Sequence, residues 1–205
     1  MRDARAMTRT RAGAATFPAI LLLLPSLLWA ADTARSPLPG LSLYNITSQW
    51  TTQDGKPVHL DSLRGRPVVV AMIYLNCPDV CPLIAENMEQ IQAGLPKGLA
   101  SSVDFALFTF DSARDSPVRL KAYASARGLN AKNWTLFQGD EMATRELAAA
   151  LDVTYRKKED GTFDHSVVIS LLDADGVVVY RQIGLRQDTR EFVSKIRKLG
   201  IANTK

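Results

Sequence analysis

The sequence predicts an α/β fold with one central mixed sheet flanked by helices. Three observations carry that expectation. The first is a near-continuous apolar run, Val68-Val69-Val70-Ala71-Met72-Ile73-Tyr74, the pattern of a strand buried on both faces. The second is the alternation that follows, in which strand-like runs are separated by segments whose apolar residues return every three or four positions. The third is a late pair of apolar runs joined by Asp173-Ala174-Asp175-Gly176, a turn that adds an antiparallel hairpin to the sheet.

Taken in order, Gln53-Asp54-Gly55-Lys56 signals a hairpin turn between Leu43-Tyr44-Asn45-Ile46 and Val58-His59-Leu60, an N-terminal extension ahead of the core. After the buried run, Ile84, Met88, Ile91 and Leu95 recur at steps of 4, 3 and 4, which is one helical stripe. Pro82 fits the first turn of that helix, where a missing N–H costs nothing. Val103–Phe110 reads as the next strand. Ser116 is a helix cap with Pro117 at the first position, and the helix runs through Val118, Leu120 and Tyr123 to Gly128. Trp134–Phe137 is a short strand, and Glu141–Leu151 is a helix with Met142, Leu147 and Leu151 inward. Ser166–Leu172 and Val177–Ile183 are the hairpin strands. A closing helix carries Phe192, Ile196 and Leu199 on one face. A βαβ unit, a further helix, then a hairpin and a closing helix make the thioredoxin-like layout.

Composition sets the surroundings. An apolar content of 46% with 22% charged residues fits an ordinary globular domain. Residues 1–30 read as a secretory signal peptide. Arg2, Arg5, Arg9 and Arg11 form a basic start, and Phe17 to Trp29 is an uncharged apolar stretch of 13 residues, against the roughly 20 a bilayer span needs. An uncleaved, short N-terminal membrane anchor is the alternative. Residues 31–40 read as a flexible leader and 41–205 as one domain. Four Arg against one Asp in residues 1–30 supply +3 of the formal net charge of +4, so the remaining chain is nearly neutral. That removes the case for a nucleic-acid partner. Arg156-Lys157-Lys158, ending in Glu159, reads as a solvated loop.

Both cysteines of the chain lie in Cys77-Pro78-Asp79-Val80-Cys81-Pro82, between the buried strand and the helix. A disulfide closing so small a loop constrains the unfolded chain little, well below the roughly 3 kcal/mol expected of a 15-residue loop. The spacing therefore favours chemistry over stapling. A helix N-terminus lowers a thiol pKa, which suits a redox-active Cys77/Cys81 dithiol and a pair of thiolate ligands equally. Three residues between the cysteines leave room for one shared ion. A third donor is available in His165, just before the strand Val167–Leu172, where this layout brings a loop beside the cysteines. Two thiolates and an imidazole suit Cu(I). Zinc accepts the same ligands, although a structural zinc site takes four. Asp164 or a backbone carbonyl is the expected partner of the imidazole. His59 lacks this placement. Thiol peroxidase chemistry expects Thr or Ser three residues before the reactive cysteine, and that residue is Tyr74.

These residues together resemble the SCO/SenC family of copper-binding assembly proteins. The matching pieces are Asp54-Gly55-Lys56-Pro57, Leu63-Arg64-Gly65-Arg66, the CxxxCP motif at Cys77–Pro82, and Phe110 to Pro117. They continue with Trp134 to Gly139, Asp164-His165-Ser166 and Leu172 to Gly176. The resemblance implies a thioredoxin-like protein that binds one copper ion, as Cu(I) or Cu(II), through Cys77, Cys81 and His165. It also implies help in assembling the dinuclear copper centre of cytochrome c oxidase. The implied partners are the oxidase subunit that carries this centre, or another copper or thiol client, and a second copper chaperone. The implied place is the bacterial periplasm. Some family members are thought instead to reduce the copper-ligand cysteines of the client. Asp111 and Asp115 fall in a matching segment and are expected to be structural, while Asp79 is the better candidate to tune the site.

Overall fold

A computed structural model describes residues 36–77, 80–129, 132–185 and 187–202 of the 205-residue chain. The predicted signal segment, the first half of the leader and Asp79 lie outside the described residues. The elements, in chain order, are β1 (Trp50–Thr52), β2 (Pro57–Val58), β3 (Val68–Ile73), α1 (Val80–Ala93), α2 (Lys97–Ala100), β4 (Asp104–Thr109) and α3 (Pro117–Ala126). They continue with β5 (Trp134–Gly139), α4 (Glu141–Leu151), β6 (Tyr155–Lys157), β7 (Phe163–His165), β8 (Val168–Leu172), β9 (Val178–Ile183) and α5 (Thr189–Ala202).

Seven strands form one mixed sheet in the order β2-β1-β5-β4-β3-β8-β9. β3 pairs parallel with β4 and antiparallel with β8, and all six of its residues are buried, as the unbroken apolar run requires. The stripe on α1 buries Ile84, Met88 and Ile91, and α1 packs on β3 and against α5. Phe192 and Ile196 of α5 are fully buried. Each such side chain contributes about 1.5–3 kcal/mol on leaving water. Across the sheet, Phe108 stacks on Phe137 at 4.5 Å and receives the edge of Trp50 at 4.8 Å. Ser116 and Asp140 cap α3 and α4 with their side chains, and Pro117 opens α3.

Three expectations are corrected. The turn at Gln53–Lys56 does join a hairpin, but its first strand is Trp50–Thr52; Leu43–Asn45 is a 3-10 turn. Ser42 Oγ accepts the Tyr44 N–H at 3.1 Å, and the turn buries Leu43 and Tyr44 together, where a strand would face one of them outward. Met142 is 78% exposed. Ala143, four residues before Leu147, occupies the inward face instead. Finally, Arg156-Lys157 is not loop: Tyr155–Lys157 pairs antiparallel with Phe163–His165 as a separate two-stranded sheet.

Candidate metal centre

Sheet topology gathers the site. The parallel pairing of β3 with β4 puts their C-terminal ends side by side. β8 runs the other way, with Ile169 opposite Ala71, so the chain entering β8 arrives at that same edge. Cys77 follows β3, Cys81 is the second residue of α1, and His165 ends β7 three residues before β8. The ligand atoms of Cys77, Cys81 and His165 all lie within 4.8 Å of one another. Cys81 Sγ is 3.6 Å from His165 Nε2.

Backbone groups prepare these atoms. Cys81 N–H donates to Cys77 Sγ at 3.2 Å, and Tyr74 N–H points at Cys81 Sγ at 3.4 Å. His165 Nδ1 lies 3.0 Å from the Ser166 carbonyl oxygen, an acceptor only, so Nδ1 carries the ring proton. Nε2 then presents its lone pair toward the sulfurs. Ser166 is itself fixed, because its N–H donates to the Thr154 carbonyl at 2.9 Å and its Oγ accepts the Thr154 N–H at 3.0 Å. The carbonyl, not Asp164, orients the imidazole. Asp164 turns outward to Arg156 at 2.9 Å and Lys158 at 3.8 Å.

The aromatic wall was not visible in the sequence. Tyr74 and Phe110 pack on the imidazole, with Phe110 and His165 ring centres 5.1 Å apart, and Phe163 packs on both of these aromatic rings at 5.1 Å. Burial pushes the Cys81 thiol well above its ordinary range, with the Tyr74 N–H opposing and Cys77 adding to the rise. This corrects the expectation that the helix end would lower it: desolvation outweighs the N-terminal dipole at a residue that is only 2% exposed. Tyr74, Cys77 and His165 line an open cavity of about 360 Å³, and Cys81 sits behind them. A larger cavity of about 520 Å³ lies beyond Phe163 and contains neither thiol.

The other candidates fall elsewhere. His59 Nδ1 meets the Thr47 carbonyl at 3.1 Å, away from the sulfurs. Asp111 and Asp115 are buried beneath the site, and Asp115 Oδ2 accepts the Leu75 N–H at 2.9 Å and Thr109 Oγ1–H at 2.6 Å. Asp115 supports the cysteine loop without touching the donors. Its tie to Leu75 had no signal in the sequence, because the two residues are 40 apart.

The donor set tests what ion fits. Among the described residues the cluster holds two sulfurs and one imidazole and no fourth side chain. That suits a soft ion content with three ligands better than a structural zinc ion.

The SCO1/SenC family model matches residues 42–200. The chain is 30% identical over 132 residues to the SCO1 protein homolog of Bacillus subtilis, covering 62% of this chain and 67% of that one. It is similar in structure to a SCO1/SenC family lipoprotein from Bacillus anthracis, with 27% identity, a TM-score of 0.68 and coverage of 74% of this chain and 92% of the other. It is also similar to Bradyrhizobium japonicum ScoI with copper bound, with 26% identity, a TM-score of 0.59 and coverage of 74% and 96%. The matched span takes in both cysteines, the histidine and every strand of the sheet that gathers them, and on that ground this chain belongs to the SCO1/SenC family.

Proposed function

We propose that this chain takes up one copper ion through Cys77, Cys81 and His165 and passes it to a thiol-bearing client. The carrying observation is the convergence of three soft donors within 4.8 Å, with the imidazole proton already committed to Ser166. Family membership supports the copper-centre subunit of cytochrome c oxidase as the client, and copper in the related ScoI supports the cargo. Uptake displaces the thiol protons, leaving both sulfurs as thiolates. Cys77 and His165 line the open side, so a client thiolate approaches there while Cys81 retains its hold from behind. Residues 1–30 then serve as the export signal, consistent with a lipoprotein relative. Among the described residues no helix is long and apolar enough to cross a membrane.

A competition titration tests this. Reduced protein is given one equivalent of Cu(I) against a chelator of known affinity. One-to-one binding that is lost in Cys81→Ser and weakened in His165→Ala is the expected result. Binding indifferent to both substitutions would overturn the reading.

The same geometry favours a second reading, thiol–disulfide exchange. Cys77 is at the cavity wall and Cys81 behind it, the order of an attacking and a resolving thiol. The Cys77 thiolate would attack a client disulfide. Cys81 would then displace the second client thiol and close the Cys77–Cys81 bond. His165→Ala separates the readings, since it removes a copper ligand and leaves both sulfurs.

A further inference from the structure

One short segment, residues 111–119, touches both halves of the site without contributing a donor to it. Two Asp/Arg pairs lie in it. The first is Asp111 with Arg114. Arg114 Nε donates to the buried Asp111 carboxylate, and Nη2 donates to the Gly161 carbonyl at the tip of the β6–β7 hairpin. The same guanidinium lies over the Phe163 ring, 5.9 Å from its centre. The hairpin carrying His165 is therefore held at its tip by Arg114 and at its base by the Ser166–Thr154 pair. The second pair is Asp115 with Arg119. Asp115 Oδ2 holds the Leu75 N–H, and Arg119 Nη2 donates to Asn76 Oδ1 at 2.7 Å, so both reach the two residues ahead of Cys77.

The two pairs are tied to each other. Thr109 Oγ1 donates to Asp115 Oδ2 and accepts the Asp111 N–H at 3.0 Å. Arg119 Nη1 donates to the Arg114 carbonyl at 2.9 Å and lies 3.8 Å from Asp115 Oδ1. That Oδ1 has no hydrogen-bond partner among the described residues. A buried carboxylate with half its acceptor capacity unused is costly as a purely structural device. One of its two hydrogen bonds goes to Thr109 on β4, and the other goes to the Leu75 N–H in the loop that leads to Cys77.

We infer that residues 111–119 act as a positioning clamp, in which Arg114 sets where the His165 hairpin sits and Asp115 with Arg119 sets where the Cys77 loop sits. The gap between imidazole and sulfurs is then fixed from one place. The inference rests on the copper reading above for its purpose, while the positioning itself is a property of the metal-free protein. Arg114 and Arg119 are positioning residues in this sense. A lysine at position 114 keeps a cation beside Asp111 but cannot bond Asp111 and Gly161 together as a planar fork does.

The test has a metal-free arm and a copper arm. In the first, imidazole nitrogen and proton resonances are recorded for the reduced apo protein, for Arg114→Ala and for Arg114→Lys. The chain has two histidines, so His59 is the internal control. His165 resonances shifted and broadened in Arg114→Ala, partly restored in Arg114→Lys, with His59 unmoved, is the expected result. Unmoved His165 resonances in a folded Arg114→Ala overturn the clamp.

In the copper arm, Arg114→Ala weakens Cu(I) binding about tenfold in the otherwise native protein, the low end of what loss of an outer-shell partner costs. It costs nothing further in a His165→Ala background. Arg119→Ala still costs affinity there, because it acts through the Cys77 loop. Full additivity of Arg114→Ala with His165→Ala overturns the clamp. A native protein that takes up no copper refutes the function proposed above, and the imidazole arm then decides the clamp alone.

Discussion

At Cys81 the decisive number is its burial. The sulfur is nearly inaccessible, and desolvation holds the thiol protonated at neutral pH. Copper uptake must therefore expel protons, so apparent affinity rises with pH. Two thiol protons give a rise of up to about a hundredfold per pH unit. Competition titrations at pH 6, 7 and 8, corrected for the chelator's own protonation, measure that slope, and a flat profile would contradict thiolate ligation. The same raised pKa has a stability consequence. It is a stabilising contribution fully present below the unfolded thiol value, near pH 8.5, and lost as pH climbs toward the folded value. Urea unfolding of the apo protein should weaken above about pH 8.5, and less so in Cys81→Ser. That Cys77, Cys81 and His165 cluster was legible from sequence because the chain has two cysteines and two histidines, which leaves few combinations. What was hidden is how they are held. The Ser166 carbonyl is a backbone group with no residue signature, and the contacts of Asp115 and Arg119 cross 40 and more residues.

Long, periodic elements were the readable ones. β3 and α1 announced themselves because an unbroken apolar run and a 4-3-4 stripe each leave one geometry that buries them. The β6–β7 hairpin did not. It has three residues a strand, charged side chains facing out, and Tyr155, Phe163 and His165 turned toward the aromatic wall. Periodicity needs more residues than that to register. Leu43–Asn45 misled for a related reason: four apolar-rich residues fit a strand or a turn until Ser42 decides it through the Tyr44 N–H.

That turn gives a stability test. Gly176 closes the β8–β9 hairpin at φ +82°, and a Cβ there would come within 2.6 Å of the Tyr44 ring. Gly176→Ala should cost about 2–4 kcal/mol, from left-handed strain and overpacking together. Denaturant melts check it, and a loss below about 0.5 kcal/mol, the range of an unremarkable surface change, would mean that the turn does not pack on this hairpin as described. Asp140→Ala is a milder case at an ordinary helix cap. It removes the acceptor of the Ala143 N–H at 2.7 Å and should cost about 1 kcal/mol in the same assay.

For the whole molecule, a mixed sheet does the assembling. Parallel β3 and β4 and antiparallel β8 bring three distant stretches of chain to one edge, and two of the three carry the donors. The fold itself was readable because the order of long strands and helices admits few layouts. Binding at that edge should stabilise the whole domain by mass action. A free Cu(I) concentration a hundred times the dissociation constant adds about 2.7 kcal/mol. For a domain of this size that raises the melting temperature by about 5–10 °C. Calorimetry with and without buffered Cu(I) measures the rise, which should vanish in Cys81→Ser. An unchanged melting temperature would mean that the metal is held outside the folded site.

Ligation of copper by Cys77, Cys81 and His165 is tested most directly by X-ray absorption at the copper edge on the Cu(I)-loaded protein, beside His165→Ala. The expected result is a three-coordinate ion with two sulfur neighbours and one nitrogen neighbour, the nitrogen disappearing in the variant. A sulfur-only shell, or a nitrogen that survives the loss of His165, would contradict it.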